Sequence, residues 1–252
     1  MHRLDLTRLP RHVAVIMDGS GRWAKKKLRR RVFGHEEGAI SAREMIRSCH
    51  KFGIPYLSLY AFSKENWQRP AMEVEAIWRL LKRFLKSELP ELIEKEVRLI
   101  HIGDLDGIPA DVAEELHHVI DRTSGFSSLI VNLALNYGGR QEIVTAASRF
   151  AEDVRNGRRL PGDLTPESFS RYLFTAHAPD PDLLIRTGKE QRISNFLLWQ
   201  IAYAEIYVTE VFWPDFREPQ FIEALLDYQT RERRFGKTGE QILDPFADGA
   251  AQ

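Results

Sequence analysis

The apolar run Val13-Ala14-Val15-Ile16-Met17 leads directly into Asp18-Gly19-Ser20-Gly21-Arg22-Trp23, and a cationic stretch from Lys25 to Arg31 follows. A continuous β-branched run without polar alternation reads as a strand buried on both faces, and the glycines after it allow a tight turn into a helix. That turn brings a carboxylate, free backbone N–H groups and arginines to one point. Exposed N–H groups at the positive end of a helix attract anions, and an aspartate beside them makes chemical sense when a cation bridges it to the anion. The pattern is that of a site for a metal-bound polyphosphate.

Positioning these groups is the task of the rest of the chain. Further β-rich runs are Tyr56 to Phe62, Val97 to Ile102, Leu129 to Leu135, Leu183 to Ile185 and Ile206 to Thr209. Helical patterns separate them: Gly38 to Phe52, Val74 to Glu94, Pro109 to Ser124, Gln141 to Asn156 and Pro166 to Phe174, with a last helix expected over Glu218 to Phe235. Strand followed by helix, repeated, predicts an α/β fold with a mostly parallel central sheet flanked by helices. Polar groups fall after four of the strands: Asp18 to Arg22, Ser63 to Pro70, Asn136 to Arg140, and Arg186 to Gly188. In such sheets ligands bind beyond the carboxyl ends of the strands, so all four ends are expected to serve one rim.

Composition narrows the function classes. The 252 residues carry 36 Lys plus Arg against 36 Asp plus Glu, so the chain lacks the basic excess of a general nucleic-acid binder. Any anion site must be local. No linker divides the chain, which reads as one domain over 1–252 with a core at about 12–236 and a flexible C-terminal tail, frayed at Asp248 to Gln252. One cysteine, Cys49, excludes an internal disulfide, and a cytoplasmic protein is expected. The longest apolar candidate, around Phe196 to Val208, is broken by Gln200 and Glu205, so no membrane span is expected. His117-His118 splay around a helix with no HExxH or CxxC beside them, which argues against zinc.

Several blocks taken together resemble the cis-prenyltransferases of the undecaprenyl diphosphate synthase type: His12 to Trp23 with Gly34-His35, Tyr60 to Pro70, Asn136 to Arg140, Asp182 to Gln200, Ala202 to Tyr207, Trp213 to Phe216, and Arg231 to Gly236. The resemblance implies condensation of isopentenyl diphosphate with an allylic prenyl diphosphate and departure of diphosphate. It implies Asp18 as an Mg²⁺ ligand, and Gly19, Gly21, Arg22, Trp23 and Arg31 as the cradle of the allylic diphosphate. His35 would donate to a diphosphate oxygen or help move a proton. Arg186, Arg192 and Ser194 would hold the second diphosphate, and Glu205 would assist the metal, across a dimer interface. Ser63, Glu65, Asn66, Trp67 and Arg69 would form a mobile lid. The DDxxD motif of trans-type prenyl synthases is absent.

Departures from the family pattern carry their own expectations. Ser20 stands where Asn is common, Lys64 where a second Ser is common, and Lys189 where the family has a second glycine. A lysine there would add a diphosphate contact or strain the loop. Leu135 replaces a smaller residue and Trp78 is bulky, so an apolar tunnel walled by the Val74 to Glu94 helix and the Leu129 strand is expected to yield a short product. Regular elongation competes with two alternatives, an irregular head-to-middle coupling prompted by Ser20 and Lys189, and a non-catalytic partner subunit. A homodimer and transient contact with a membrane complete the expectations.

Overall fold

β1 (His12–Ile16) is buried at every position and lies at the centre of a six-stranded sheet. The computed structural model describes residues 4–231. The sheet order is β3-β4-β2-β1-β5-β6, with β2 (Tyr56–Ser63), β3 (Val97–Ile102), β4 (Leu129–Tyr137), β5 (Leu183–Arg186) and β6 (Glu205–Val208). Every pairing is parallel, so the expected mostly parallel sheet is parallel throughout. Each expected strand is present.

The helices are α1 (Ser20–Lys26), α2 (Arg31–Phe52), α3 (Ala71–Glu94), α4 (Ala110–Thr123), α5 (Gly139–Arg155), α6 (Pro166–Ser170) and α7 (Glu218–Thr230). α2 begins seven residues earlier than its apolar period indicates. Gly34 and Gly38 are poor helix formers and mask that first part, yet both are buried where α2 meets other elements. A Cβ at Gly34 would lie 2.1 Å from the Ser20 carbonyl oxygen, so only glycine allows α2 to press against the turn that carries Asp18. α6 ends at Ser170, short of Phe174, and the chain continues in turns. Residues 232–235 of the expected last helix, the expected frayed tail and most of the Arg231 to Gly236 block lie outside the described residues.

Period-two alternation sorts the core into two layers. Val13, Val15, Leu57, Leu59, Leu133 and Leu135 face α2 and α3, whereas Ala14, Ile16, Tyr60, Ala134 and Leu184 face Phe196, Leu197 and Ile201. The first layer is incompletely filled, and an apolar cavity of about 730 Å³ runs between the sheet, α2 and α3. Beneath the second layer, buried Gln200 donates to the Glu142 carboxylate at 3.1 Å, which also accepts the Phe174 N–H at 2.8 Å. Burial raises the Glu142 pKa, and these donors anchor the long connection before β6. The sheet order reverses at β1, whose neighbours are β2 and β5, and the crevice beyond such a reversal is where α/β sheets bind ligands.

Candidate active site

Asp18 leaves β1 at this reversal. Its turn requires Gly19, which sits at φ +104° and whose Cβ would meet Phe212 at 2.5 Å. Thr187 grips the backbone from β5: the Asp18 N–H donates to Thr187 Oγ1 at 2.9 Å, and that hydroxyl donates to the Asp18 carbonyl at 2.7 Å. The side chain, 29% exposed, meets Arg186 Nη2 at 2.9 Å and Arg22 Nη2 at 3.1 Å. Arg186 closes β5 and is 4% exposed. It also donates to Ser194 Oγ at 2.8 Å and to the Arg192 carbonyl, while its Nε has no partner. An orphaned guanidinium N–H beside a carboxylate is a donor left for an anion.

Two further carboxylates organise the remaining cations. Glu190 pairs with Arg22 at 3.0 Å and with Arg192 at 2.5 Å. Glu73, on the first turn of α3 and 13% exposed, pairs with Arg31 at 3.2 Å, His35 at 3.5 Å and Arg69 at 3.4 Å. Burial lowers the His35 pKa, Arg69 lowers it further and Glu73 opposes both, which favours the neutral imidazole. Five arginines thus converge on three acids. The chain's carboxylates occupy the cation surfaces that an oligophosphate would otherwise take.

The cavity opens at these groups. Its polar end is lined by Asp18, Gly19, Ser20, Gly21, Arg22, Arg31, His35, Ser63, Glu65, Asn66, Arg69, Arg186, Arg192 and Ser194. Its apolar end is walled by Ile77, Trp78, Leu81 and Phe84 of α3 together with Leu133 and Leu135 of β4. Trp78 is buried against Phe62, with ring centroids 4.5 Å apart, and its indole Nε1 finds no acceptor.

Several expectations are corrected. Trp23 is away from the cavity; its Nε1 donates to Asp215 at 2.8 Å, and with Trp213, whose N–H donates to the Asp18 carbonyl at 3.0 Å, it braces the turn from below. Trp67 also misses the cavity, donating to Asn136 at 2.8 Å and packing on Phe62 and Trp78. Asn136 to Arg140 do not line the site, so three strand ends meet there instead of four. Lys64 turns to Asp104 and Lys189 to Glu210, each at 2.8 Å, and neither lines the cavity. Lys189 does adopt φ +70°, a left-handed backbone that suits glycine better. The segment expected as a lid is a 3₁₀ helix, 64–68, closed by a capping box between Ser63 and Asn66. Glu205 begins β6, level with Leu183 and Val13, so it lies at the opposite end of the sheet from Asp18, roughly 17 Å along the strand direction, and pairs with Arg231 at 3.0 Å.

Sequence reasoning missed Glu73, Glu190 and Asn195. Asn195, at φ +61°, accepts the Gly139 and Arg140 N–H groups and donates to Glu65 at 2.9 Å, tying the 3₁₀ segment to the loop that holds Ser194. No local pattern marks such residues, because each also binds a partner distant in the chain, as Glu73 does Arg31, Glu190 does Arg22 and Asn195 does Glu65.

Among the described residues no three carboxylate, histidine or cysteine groups converge to cage a metal. A hard cation at this rim would find one carboxylate, Asp18, in this chain and would need further oxygen ligands from outside it.

A cationic crevice that opens into an apolar cavity defines a protein that handles an anionic head joined to a long apolar body. The comparisons agree. Residues 16–236 match the prenyltransferase family model described as "Putative undecaprenyl diphosphate synthase". An "Isoprenyl transferase" of Geobacter sulfurreducens is 50% identical over 242 residues, covering 96% of this chain and 98% of that one. Lavandulyl diphosphate synthase from Lavandula x intermedia, solved with dimethylallyl diphosphate, superposes with a TM-score of 0.89 at 35% identity, covering 91% of this chain and 99% of that one. A Campylobacter jejuni structure described as "a probable undecaprenyl diphosphate synthase" gives 0.75 at 35% identity, covering 94% and 100%. The chain belongs to the undecaprenyl diphosphate synthase family of prenyltransferases, whose members extend prenyl chains. No described helix is long and apolar enough to cross a membrane.

Proposed function

We propose that this chain is a Mg²⁺-dependent cis-prenyltransferase that condenses isopentenyl diphosphate with an allylic prenyl diphosphate such as farnesyl diphosphate, releasing diphosphate and forming a cis-polyprenyl diphosphate. The observation that carries this reading is the continuity of one cavity from the Asp18, Arg22 and Arg186 cluster to the Trp78 and Leu135 wall. The allylic diphosphate lies against Arg22, Arg31, His35 and Arg69 with the Gly19 and Gly21 backbone, and its C–O bond breaks to leave an allylic cation. Asp18 would hold the Mg²⁺, which would supply charge neutralisation for the departing diphosphate. Arg186, Arg192 and Ser194 hold isopentenyl diphosphate so that its double bond faces that cation; the new C–C bond forms and the neighbouring carbon loses a proton to an oxygen of the departing diphosphate. The apolar wall keeps water from the cation. Ser20, Ser63, Glu65 and Asn66 border the reacting ends of both substrates.

Incubation with labelled isopentenyl diphosphate and a panel of allylic primers, with and without Mg²⁺, tests this reading. Label incorporated into longer chains only with both substrates and metal is expected; products from dimethylallyl diphosphate alone would favour the irregular coupling. Inactivity under every condition would favour the partner-subunit reading, against which Asp18, Arg22, Arg186, Arg192 and Ser194 all stand. Leu135→Ala and Trp78→Ala deepen the cavity and are expected to lengthen the product by one or more isoprene units on thin-layer chromatography; unchanged lengths would refute the wall assignment.

Glu73→Gln keeps the shape of the acid but removes its charge from the allylic cradle. Its expected result is tighter binding of an unreactive allylic thiodiphosphate, by about threefold to tenfold in calorimetric Kd, because one like charge leaves the anion site. Weaker binding would mean that Glu73 positions the three cations more than it competes with the ligand.

A homodimer is part of the same reading. β6 is an edge strand with Ile206 45% and Val208 36% exposed beside Tyr203 at 71%, an apolar edge that a second copy would cover. Glu205 can reach a metal at Asp18 only from a second subunit, since within one chain the two lie at opposite ends of the sheet.

A further inference from the structure

The turn between α1 and α2 packs little against the fold: Lys27 lies over the Trp23 ring and Arg29 over the Phe33 ring, each at 5.4 Å. Lys25, Lys26, Lys27, Arg29, Arg30 and Arg31 are all exposed, and of these only Arg31 pairs with a carboxylate among the described residues. Elsewhere the protein pairs its cations freely, as Arg47 with Glu91 and Arg43 with Glu88. Since the whole chain is electrically neutral, the remainder carries a surplus of acid, and the molecule is polarised toward this turn.

At its tip stands Leu28, 96% exposed and at φ +55°. The backbone there is ordered, with the Leu28 N–H donating to the Lys25 carbonyl at 3.1 Å and the Arg29 N–H to the Ala24 carbonyl at 2.8 Å. A leucine in the left-handed region is strained, and folding gains nothing from a side chain that touches so little. Glycine would form the same turn without strain. An apolar side chain held out among cations of which only Arg31 meets a carboxylate suits an external surface that is anionic outside and apolar beneath.

The patch also joins the cavity mouth. Gly21, Arg22 and Arg31, which line the main cavity, share a shallower one of about 510 Å³ with Lys25, Arg29 and Arg30. We infer that the α1–α2 turn docks the protein on an anionic lipid bilayer, with Leu28 inserted at the headgroup boundary and the flanking cations on lipid phosphates. The purpose of docking rests on the reading above, since an apolar product held at this mouth would pass directly into lipid; the docking surface does not. An RNA would use the cations but leave Leu28 without a role, which is why a bilayer is the partner assigned.

Flotation of the full chain with vesicles of phosphatidylcholine, alone or with about one third phosphatidylglycerol, tests the inference without any substrate. The chain is expected to float with the anionic vesicles only, and less as salt rises. Leu28→Gly is expected to lower the vesicle-bound fraction by about threefold or more while its Tm stays equal or rises, because strain is relieved. Lys26→Glu with Lys27→Glu, at two residues that line neither cavity, is expected to abolish flotation and leave vesicle-free turnover of short substrates unchanged. Equal flotation with neutral vesicles, parental flotation by both variants, or displacement from vesicles by a stoichiometric single-stranded RNA would each overturn it. Turnover failing while flotation behaves as expected would reject the reaction and leave the docking surface standing.

Discussion

Asp18→Ala is expected to lower turnover by about three orders of magnitude, the loss of roughly 4 kcal/mol of transition-state stabilisation that removing a metal-centred charge clamp entails. The argument is geometric. Asp18 is a carboxylate on the cavity rim beside both proposed diphosphate sites, with Arg186 2.9 Å from one oxygen and Arg22 3.1 Å from the other. Its backbone, not its side chain, carries the ties to Thr187 and Trp213, so the variant keeps the turn. The melting temperature is expected to fall, because Arg186, 4% exposed, loses its carboxylate partner, so turnover is compared well below the midpoint. Asp18→Asn preserves shape and one acceptor but not the charge that draws a divalent cation, so it is expected to fall almost as far. A Mg²⁺ titration separates the metal from the ion pairs: the parent saturates and both variants stay flat. Full activity in Asp18→Ala would remove the metal assignment.

Arg186→Lys is expected to raise KM for isopentenyl diphosphate about 100-fold while KM for the allylic substrate stays within about threefold, because a lysine cannot reproduce a planar fork. Arg186 is 4% exposed and spans Asp18, Ser194 and the Arg192 carbonyl at once, with Nε still free. A single ammonium in place of the forked guanidinium reaches fewer of these at a time and abandons the donor meant for the second diphosphate. Arg186→Met removes the charge as well, and is expected to cost about 2 kcal/mol of stability; that is below the range for a fully buried pair, since Asp18 is 29% exposed and water screens it. Initial-rate kinetics with each substrate varied in turn provide the readout. Equal rises in both KM values would show that the two diphosphates share one set of cations, and the two-pocket reading would fail.

The α-carbon path was legible wherever the signal is local. Val13 to Met17 read as strand because a short apolar run rich in β-branched residues and closed by glycines suits a strand buried on both faces, and the five other strands were found to within two residues at each end. The two glycines of α2 hid its start, since helix propensity opposes them and only contact with Ser20 and Trp213 justifies them. The rim residues Asp18, Arg22, Arg31, His35, Arg69, Arg186, Arg192 and Ser194 were named from the chain and share one cavity. Trp23 and Trp67 were named beside the motifs, and only the structure places their indole N–H groups on Asp215 and Asn136, away from the cavity lining.

Residue type and period, both local properties, determined the strands and the Asp18 turn, and the resemblance of several motif blocks pointed to the rim residues and the family. Tertiary structure decided the rest: the β3-β4-β2-β1-β5-β6 order, the trio of cations on Glu73, the bridge of Glu190 between Arg22 and Arg192, and the remoteness of Glu205 from Asp18. The physical reason is that an ion pair depends on distance in space. Arg186 and Asp18 stand 168 positions apart and meet at 2.9 Å because β1 and β5 are neighbours, a fact that sheet packing supplies and no window along the chain contains.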